Sequence, residues 1–355
     1  MLKLGLGLYR HMLTAENFRF ARQCGCTHVV VHLVDYFNKA ASDRANQPVG
    51  DQAGWGRAGD PQKLWTYEEM AELKRQINAH DLELFAIENL DPAHWHDVLL
   101  DGPHKAQHLE NVKTIVRNMG RAGIPVLGYN FSLAGVAGRI EGPFARGGAR
   151  SVGMDVADQT PIANGTVWNM VYDPHGPAGT VATVTSEQLW QRLAGFLEAI
   201  IPVAEEAGVT LAAHPDDPPV PVLRGQPRLV YQPGLYQKLL DLQPSRRNAL
   251  EFCVGTLSEM TEGNIYETVD HYSRQGRLAY VHLRNVTGKA PRYRETFIDD
   301  GDTDARRVLE ILKRNHFDSV IIPDHTPQMN CAAPWHAGMA FALGYFRAIL
   351  QGLRI

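Results

Sequence analysis

Eight short runs rich in aliphatic and β-branched residues recur along the chain, each followed by an amphipathic stretch, and this alternation constrains the fold more than any other feature. The runs are Lys3–Tyr9, Thr27–Leu33, Leu82–Glu88, Ile124–Asn130, Val209–His214, Ala249–Cys253, Leu278–His282 and Ser319–Asp324. They read as continuous apolar segments, as strands do when both faces of a sheet are covered. Helix-start signals lie between them: Thr66-Tyr-Glu-Glu69, Thr185-Ser-Glu-Gln188 and Asp302-Thr-Asp304 each lead into an amphipathic stretch. Gly25, Gly123 and Gly208 stand just before strands, where a left-handed residue stops a helix. Eight strand–helix units predict an α/β fold, a (β/α)8 TIM barrel in place of a doubly wound open sheet. With 355 residues and 44% hydrophobic content, the chain can bury such a core as a single domain spanning 1–355. Two long segments interrupt the rhythm, 38–63 after the second strand and 132–185 after the fourth. Loops of that length in a compact domain commonly carry function, and Trp55, Trp65, Trp168 and Tyr172 argue that these pack as lids or walls.

The strands end on polar residues: Tyr9, His32, Glu88, Asn130, His214, Cys253, His282 and Asp324. One polar strand end is unremarkable, but eight on the rim where barrels place their chemistry predict an active site. His214, Cys253, His282 and Asp324 are separated by 39, 29 and 42 residues, about one strand, one helix and two loops each, so they converge only through the barrel. Two imidazoles, a thiolate and a carboxylate suit Fe(II), Mn(II), Co(II) or Zn(II) better than Mg or Ca. Four protein donors with room left for substrate make a catalytic site, not a closed structural one. Taken alone, Cys253 reads better as a small buried apolar residue than as a ligand.

Several classes are excluded. A net charge of −4 gives no basic footprint for nucleic acid, and no apolar stretch approaches the ~20 residues of a membrane span. The start, Met1-Leu-Lys-Leu-Gly-Leu-Gly-Leu-Tyr9, lacks the pattern of a signal peptide, and four cysteines are too few for a disulfide scaffold, so a cytoplasmic protein is expected. The turn Arg146-Gly-Gly-Ala-Arg-Ser151 is a weak candidate for holding a carboxylate or phosphate, and there is no P-loop or dinucleotide fingerprint.

The segment His214-Pro-Asp-Asp-Pro-Pro219, with Phe252-Cys-Val-Gly-Thr256, Val281-His-Leu-Arg-Asn285, Gly301-Asp-Thr-Asp304 and Pro323-Asp-His325, resembles the D-mannonate dehydratase family. The likeness spans most of the chain and is poorest in the two long loops. It implies a xylose-isomerase-like barrel, one Mn(II) or Fe(II) per chain, a sugar-acid substrate, a homo-oligomer, and removal of water from D-mannonate to give 2-dehydro-3-deoxy-D-gluconate. It also implies that His214, Cys253, His282 and Asp324 ligate the metal, with His325 in the catalytic position beside it.

The chemistry of the residues agrees. A hydrogen next to a carboxylate is barely acidic, so its removal calls for a cation to hold the developing charge. His325 can then act as base at C2 or as acid at the departing hydroxyl. Arg284, two residues beyond His282, is expected to grip the substrate carboxylate, or else to form a salt bridge on the rim. Glu88 and Asn130 are expected to hold sugar hydroxyls. The prolines after His214 are expected to set Asp216 and Asp217 against the rim, and Glu295 matches a family position near the substrate. Three positions depart from the family pattern: Ile322 replaces an arginine, Ile298 replaces a histidine, and a tyrosine is missing around Ala337-Gly-Met339. These departures keep two alternatives open, a metal-dependent isomerase, epimerase or other β-eliminating lyase on a related sugar, and a silent sugar-binding barrel.

Overall fold

The computed structural model describes residues 2–37 and 56–353; most of the 38–63 segment therefore lies outside the described residues. Eight strands, β1 (Lys3–Leu8), β2 (His28–Val31), β3 (Glu83–Glu88), β4 (Val126–Tyr129), β5 (Thr210–Ala213), β6 (Asn248–Cys253), β7 (Leu278–His282) and β8 (Val320–Ile322), close into a barrel. Every neighbouring pair is parallel, β1 against both β2 and β8. All eight are the strands expected from the apolar runs; Leu278–His282 matches its run, Asn248–Cys253 begins one residue earlier, and the other six are shorter at their ends. Each is followed by helix, from Ala15–Gln23 after β1 to Pro334–Gly352 after β8.

The local signals act as their chemistry dictates. Thr66 with Glu69 and Thr185 with Gln188 form reciprocal capping boxes that satisfy the first free N–H groups of the helices Tyr67–Asn78 and Ser186–Ala207. Asp304 caps Ala305–Arg314 through the N–H groups of Arg306 and Arg307. The main core lies between the strands and the helix ring. A smaller cluster fills the barrel itself, with the bulk of Tyr280 set among Val30, Ala86, Val126, Ala212, Val320 and Ile322. Small residues on β3 and β5 leave the interior room for larger and polar side chains from β6 and β7.

The mouth carries a cap of short strands within the 132–185 segment and after β7. Strands Arg139–Ala145 and Ala149–Met154 pair with a hairpin, Asn285–Lys289 and Arg292–Thr296, in a four-stranded antiparallel sheet. Its register joins Tyr293 to Met154 across more than a hundred residues of chain, so no local pattern announces it. A second small sheet joins 56–57, 166–167 and 170–171. The Arg146–Ser151 turn only links two of these strands: Arg146 pairs with Asp299 at 3.2 Å and Arg150 with Glu141 at 2.9 Å, so both guanidinium groups are committed to the fold. Among the described residues, no helix is long and apolar enough to cross a membrane.

Candidate metal centre and active site

His214 follows β5, Cys253 ends β6, His282 ends β7 and Asp324 stands two residues beyond β8, so four consecutive staves of the barrel each contribute one donor. The ligand atoms of His214, Cys253 and His282 lie within 4.8 Å of one another. Asp324 closes the group, with Oδ1 3.5 Å from Nδ1 of His282 and Oδ2 3.9 Å from the Cys253 sulfur. Donors bound at roughly 2.0–2.3 Å to one tetrahedral ion stand about 3.3–3.8 Å apart, so only small adjustments separate this cluster from a coordination shell. Two further observations fit a metal. Both ring nitrogens of His282 are buried without an aligned hydrogen bond. His214 donates Nδ1–H to the carbonyl of Pro215 at 2.7 Å, which leaves its Nε2 lone pair for the site.

The electrostatics are those of a site prepared for a cation. Burial alone would raise the Cys253 thiol, but Arg284 and the facing His214 and His282 imidazoles outweigh it and bring the thiol down to about 5. Burial would lower His214, yet its bond to Cys253 and the Glu251 charge raise it to about 9. Asp324 is held far below the carboxylate range; burial opposes this, and His325, His282 and Arg284 overcome it. Thiol and carboxylate thus raise the proton affinity of the imidazoles they face, a demand for positive charge that a divalent ion would meet instead. The backbone of Asp324 is left-handed, with φ of 51°, a conformation costing roughly 1–3 kcal/mol for a non-glycine residue and held by the contacts of its carboxylate.

Arg284 does not serve as the expected substrate grip. It is 2% exposed and faces away from the cavity, bonding Asp324 at 3.0 Å, Glu259 at 2.6 Å and Asp217 at 2.6 Å. Gly255 gives its stem passage, since a Cβ there would stand 2.3 Å from the Arg284 Cγ. The salt-bridge alternative therefore holds, and Arg284 braces the Asp324 carboxylate. Replacing it with methionine would leave the buried Glu259 without its cationic partner and Asp217 with Arg139 as its remaining guanidinium. We expect Arg284→Met to destabilise the metal-free protein by about 3–5 kcal/mol in denaturant unfolding, and a loss under 1 kcal/mol would contradict this account.

The other expected residues divide. Glu88 and Asn130 line the cavity over the metal donors, whereas Asp216 and Glu295 do not. Asp216 is turned into the protein, accepting from the N–H groups of Leu229 and Val230 and pairing with the fully buried Arg228 at 3.0 Å, so it braces the proline turn. The Asn130 amide is occupied, donating to the Pro215 carbonyl at 3.2 Å and accepting from the Trp168 indole at 3.1 Å; it ties the His214 loop to the cap. Glu88 lies within 3.7 Å of Nε2 of His32 and 3.3 Å of Nε2 of His282. Glu295 bonds Nδ1 of His325 at 2.9 Å, and although burial opposes its ionisation, His325 and Arg284 hold it below the ordinary carboxylate range. Nε2 of His325 lies 3.3 Å from Asp324 at the edge of the cavity.

Sequence reasoning missed Arg139 as a cavity group, whereas Asp217, expected against the rim, does line the cavity. They pair at 2.7 Å on the cavity wall, and Arg139 sits in the segment read as loop, where only the cap sheet brings it to the site. Trp335, in the segment where the family tyrosine is missing, also reaches the cavity.

Fold and site together define a parallel barrel enzyme with a mixed N/S/O centre at the carboxyl ends of its strands, the face where such barrels act. A sequence profile described as D-mannonate dehydratase (UxuA) matches residues 45–137 and 178–352. A mannonate dehydratase of Streptococcus pneumoniae is 31% identical over 276 residues, covering 74% of this chain and 75% of that protein. Mannonate dehydratase 2 of Halalkalibacterium halodurans is 30% identical over 275 residues, covering 74% and 79%. Among solved structures, mannonate dehydratase from Streptococcus suis serotype 2 superimposes with a TM-score of 0.78 at 25% identity, over 99% of this chain and 94% of that one. An L-ribulose 3-epimerase shares the fold alone, with a TM-score of 0.57 at 14% identity over 100% and 96% of the two chains. The chain belongs to the D-mannonate dehydratase family. It is a sugar-acid dehydratase, a carbon–oxygen hydro-lyase.

Proposed function

We propose that this enzyme removes water from D-mannonate to give 2-dehydro-3-deoxy-D-gluconate, with one Mn(II) or Fe(II) held by His214, Cys253, His282 and Asp324. The observation that carries the reading is the convergence of these four donors beside the His325–Glu295 pair in one cavity. A bound divalent ion supplies Lewis acidity, drawing off the negative charge that develops on the substrate carboxylate as the neighbouring carbon loses its proton. The protein supplies the rest. Glu295 fixes the proton of His325 on Nδ1, so Nε2 presents its lone pair to the cavity. His325 moves the proton: it takes hydrogen from C2 or returns one to the hydroxyl departing from C3, and the enol left behind tautomerises to the 2-keto acid. Arg139 stands where a guanidinium can meet the substrate carboxylate, held in place by Asp217. Tyr9 is kept protonated by burial and by the Asp324 and Glu88 charges, which makes it a hydroxyl donor to sugar oxygens. A reducing cytoplasm suits the thiolate ligand, and a homo-oligomer is the expected assembly.

One observation favours a second reading, an isomerase, epimerase or different β-eliminating lyase on a related sugar. Tyr9, His32, Tyr36, Arg139 and Trp168 all line the cavity, and all lie outside the stretches matched by the family profile, whereas the four metal donors lie inside them. The chemistry is carried by the matched part and the shape of the pocket by the rest. Incubating the manganese-loaded protein with D-mannonate and a panel of aldonates and ketoses separates the readings. A 2-keto-3-deoxy acid formed fastest from D-mannonate is the expected result. The same product from a different aldonate changes the substrate, sugar interconversion without loss of water replaces the reaction, and thermal shifts without turnover leave only a binding barrel.

A further inference from the structure

Glu251 stands on β6 two residues before Cys253, so the two-residue period of a strand puts it on the same inward face, one layer deeper in the barrel. It is wholly buried, and neither carboxyl oxygen makes an aligned hydrogen bond. A bare buried carboxyl costs several kcal/mol, so its neighbours decide why it is there. Its Oε1 lies 3.3 Å from Nε2 of His282, and Oε2 of Glu88 approaches the same nitrogen at 3.3 Å. Tyr280, paired with Glu251 in the strand register, donates its hydroxyl to Glu88 at 3.2 Å. Position 128 has to be glycine for this to fit: a Cβ there would stand 2.4 Å from Oε2 of Glu251 and 2.6 Å from the Tyr280 hydroxyl. The opposite edge of the His282 ring points the other way, with Nδ1 3.5 Å from Asp324.

We propose that Glu251 and Glu88 are positioning residues for His282, holding its Nε2–H from inside the barrel so that the Nδ1 lone pair faces the metal. The inference rests on the metal centre proposed above. A neutral imidazole has one N–H and one lone pair. The Glu88 carboxylate and the Glu251 carboxyl against Nε2 assign the N–H to that edge and the lone pair to Nδ1. His214 is set by the same logic in mirror fashion, with the Pro215 carbonyl on its Nδ1 and the lone pair on Nε2. Outer partners of this kind are worth about 10–100-fold in metal affinity. The rival use of the same atoms is a second ion among Glu88, Glu251 and His282, whose ligand atoms also lie within 4.8 Å of one another. That arrangement, alongside an ion on Nδ1, needs a His282 ring stripped of both protons.

Cobalt(II) titration of the full-length protein, read by its thiolate-to-cobalt absorption, tests the proposal. Wild type must first take up cobalt with that band; its absence, or its persistence in Cys253→Ala, overturns the metal centre itself and is thereby told apart from failure here. Given the wild-type band, Glu251→Met, similar in volume but unable to accept a proton, is expected to weaken cobalt about 10–100-fold. Glu251→Gln, which keeps an acceptor oxygen, is expected to stay within about threefold of wild type, the same scale of outer-partner effects setting what counts as rescue. Wild-type affinity in Glu251→Met overturns the positioning role. So does uptake of two ions by wild type and one by Glu251→Met with the thiolate band unchanged, which assigns the carboxylates as ligands. If the methionine variant does not fold, a diffraction structure of the manganese-loaded wild type decides: Nδ1 of His282 on the ion supports the proposal, and Nε2 on the ion overturns it.

Discussion

Replacing Cys253 with alanine is expected to cost the protein most of its bound metal and, with it, its turnover. The sulfur lies at the centre of the donor group, within reach of His214 and His282 and 3.9 Å from the Asp324 carboxylate. It is also the softest donor, the one that favours a transition ion over Mg or Ca. Losing an outer-sphere partner costs about 10–100-fold in metal affinity, so loss of a direct ligand is expected to exceed about a hundredfold. The substitution removes little else. The side chain is small and fully buried, and its one backbone contact is the N–H of Thr256, donated to the sulfur at 3.3 Å. Metal content after dialysis and the dissociation constant for manganese measure the effect directly, and chelation of wild type should reproduce the loss of activity, reversed when manganese is added back. A Cys253→Ala protein that keeps its metal and its rate would make the cysteine a packing residue and dissolve the centre as described.

The convergence of those four side chains was legible in the sequence because they contradict their surroundings. A histidine, a cysteine, another histidine and an aspartate each end an apolar run that has no packing use for them, and the spacing of one strand–helix unit puts consecutive donors on neighbouring staves. Arg284 was harder to place. Two positions beyond His282, it belongs to the rim by sequence, but whether a guanidinium turns to the cavity or to the wall depends on Glu259 and Asp217, which arrive from β6's following helix and from the proline turn. Asp216 and Asp217 are neighbours of the same type, and only the backbone of the turn decides that the first braces Arg228 while the second faces the cavity. Arg139 was out of reach altogether. It is delivered by a sheet whose strands pair across the two halves of the chain, a contact with no local signature. Glu251 sat within an apolar strand where a carboxyl is costly, and that conflict between residue and place was the signal available for it.

Replacing His325 with asparagine is expected to lower kcat by about 10²–10⁴-fold while leaving metal affinity and KM within a few-fold of wild type, the range a positioned proton-transfer group supplies. Asparagine matches the first part of the ring and can still accept or donate a hydrogen bond at the Nδ1 position, so the contact with Glu295 at 2.9 Å is retained and the loss falls on proton transfer at Nε2. The orientation of the imidazole should matter almost as much as its presence. Glu295 is ionised and only accepts, which places the His325 proton on Nδ1 and the lone pair towards the cavity. In Glu295→Gln, the amide can instead donate to Nδ1, moving the proton to Nε2 and turning the base away from its task; kcat is expected to fall with little change in bound metal. The two substitutions act on one unit, so the double variant should be scarcely slower than His325→Asn alone, because groups that work together are non-additive. Steady-state rates with D-mannonate, alongside metal content for each protein, measure all of this. Additive losses, or a His325→Asn enzyme with an undiminished kcat, would move the proton-transfer role to another group on the cavity wall, with Tyr9 the next to test.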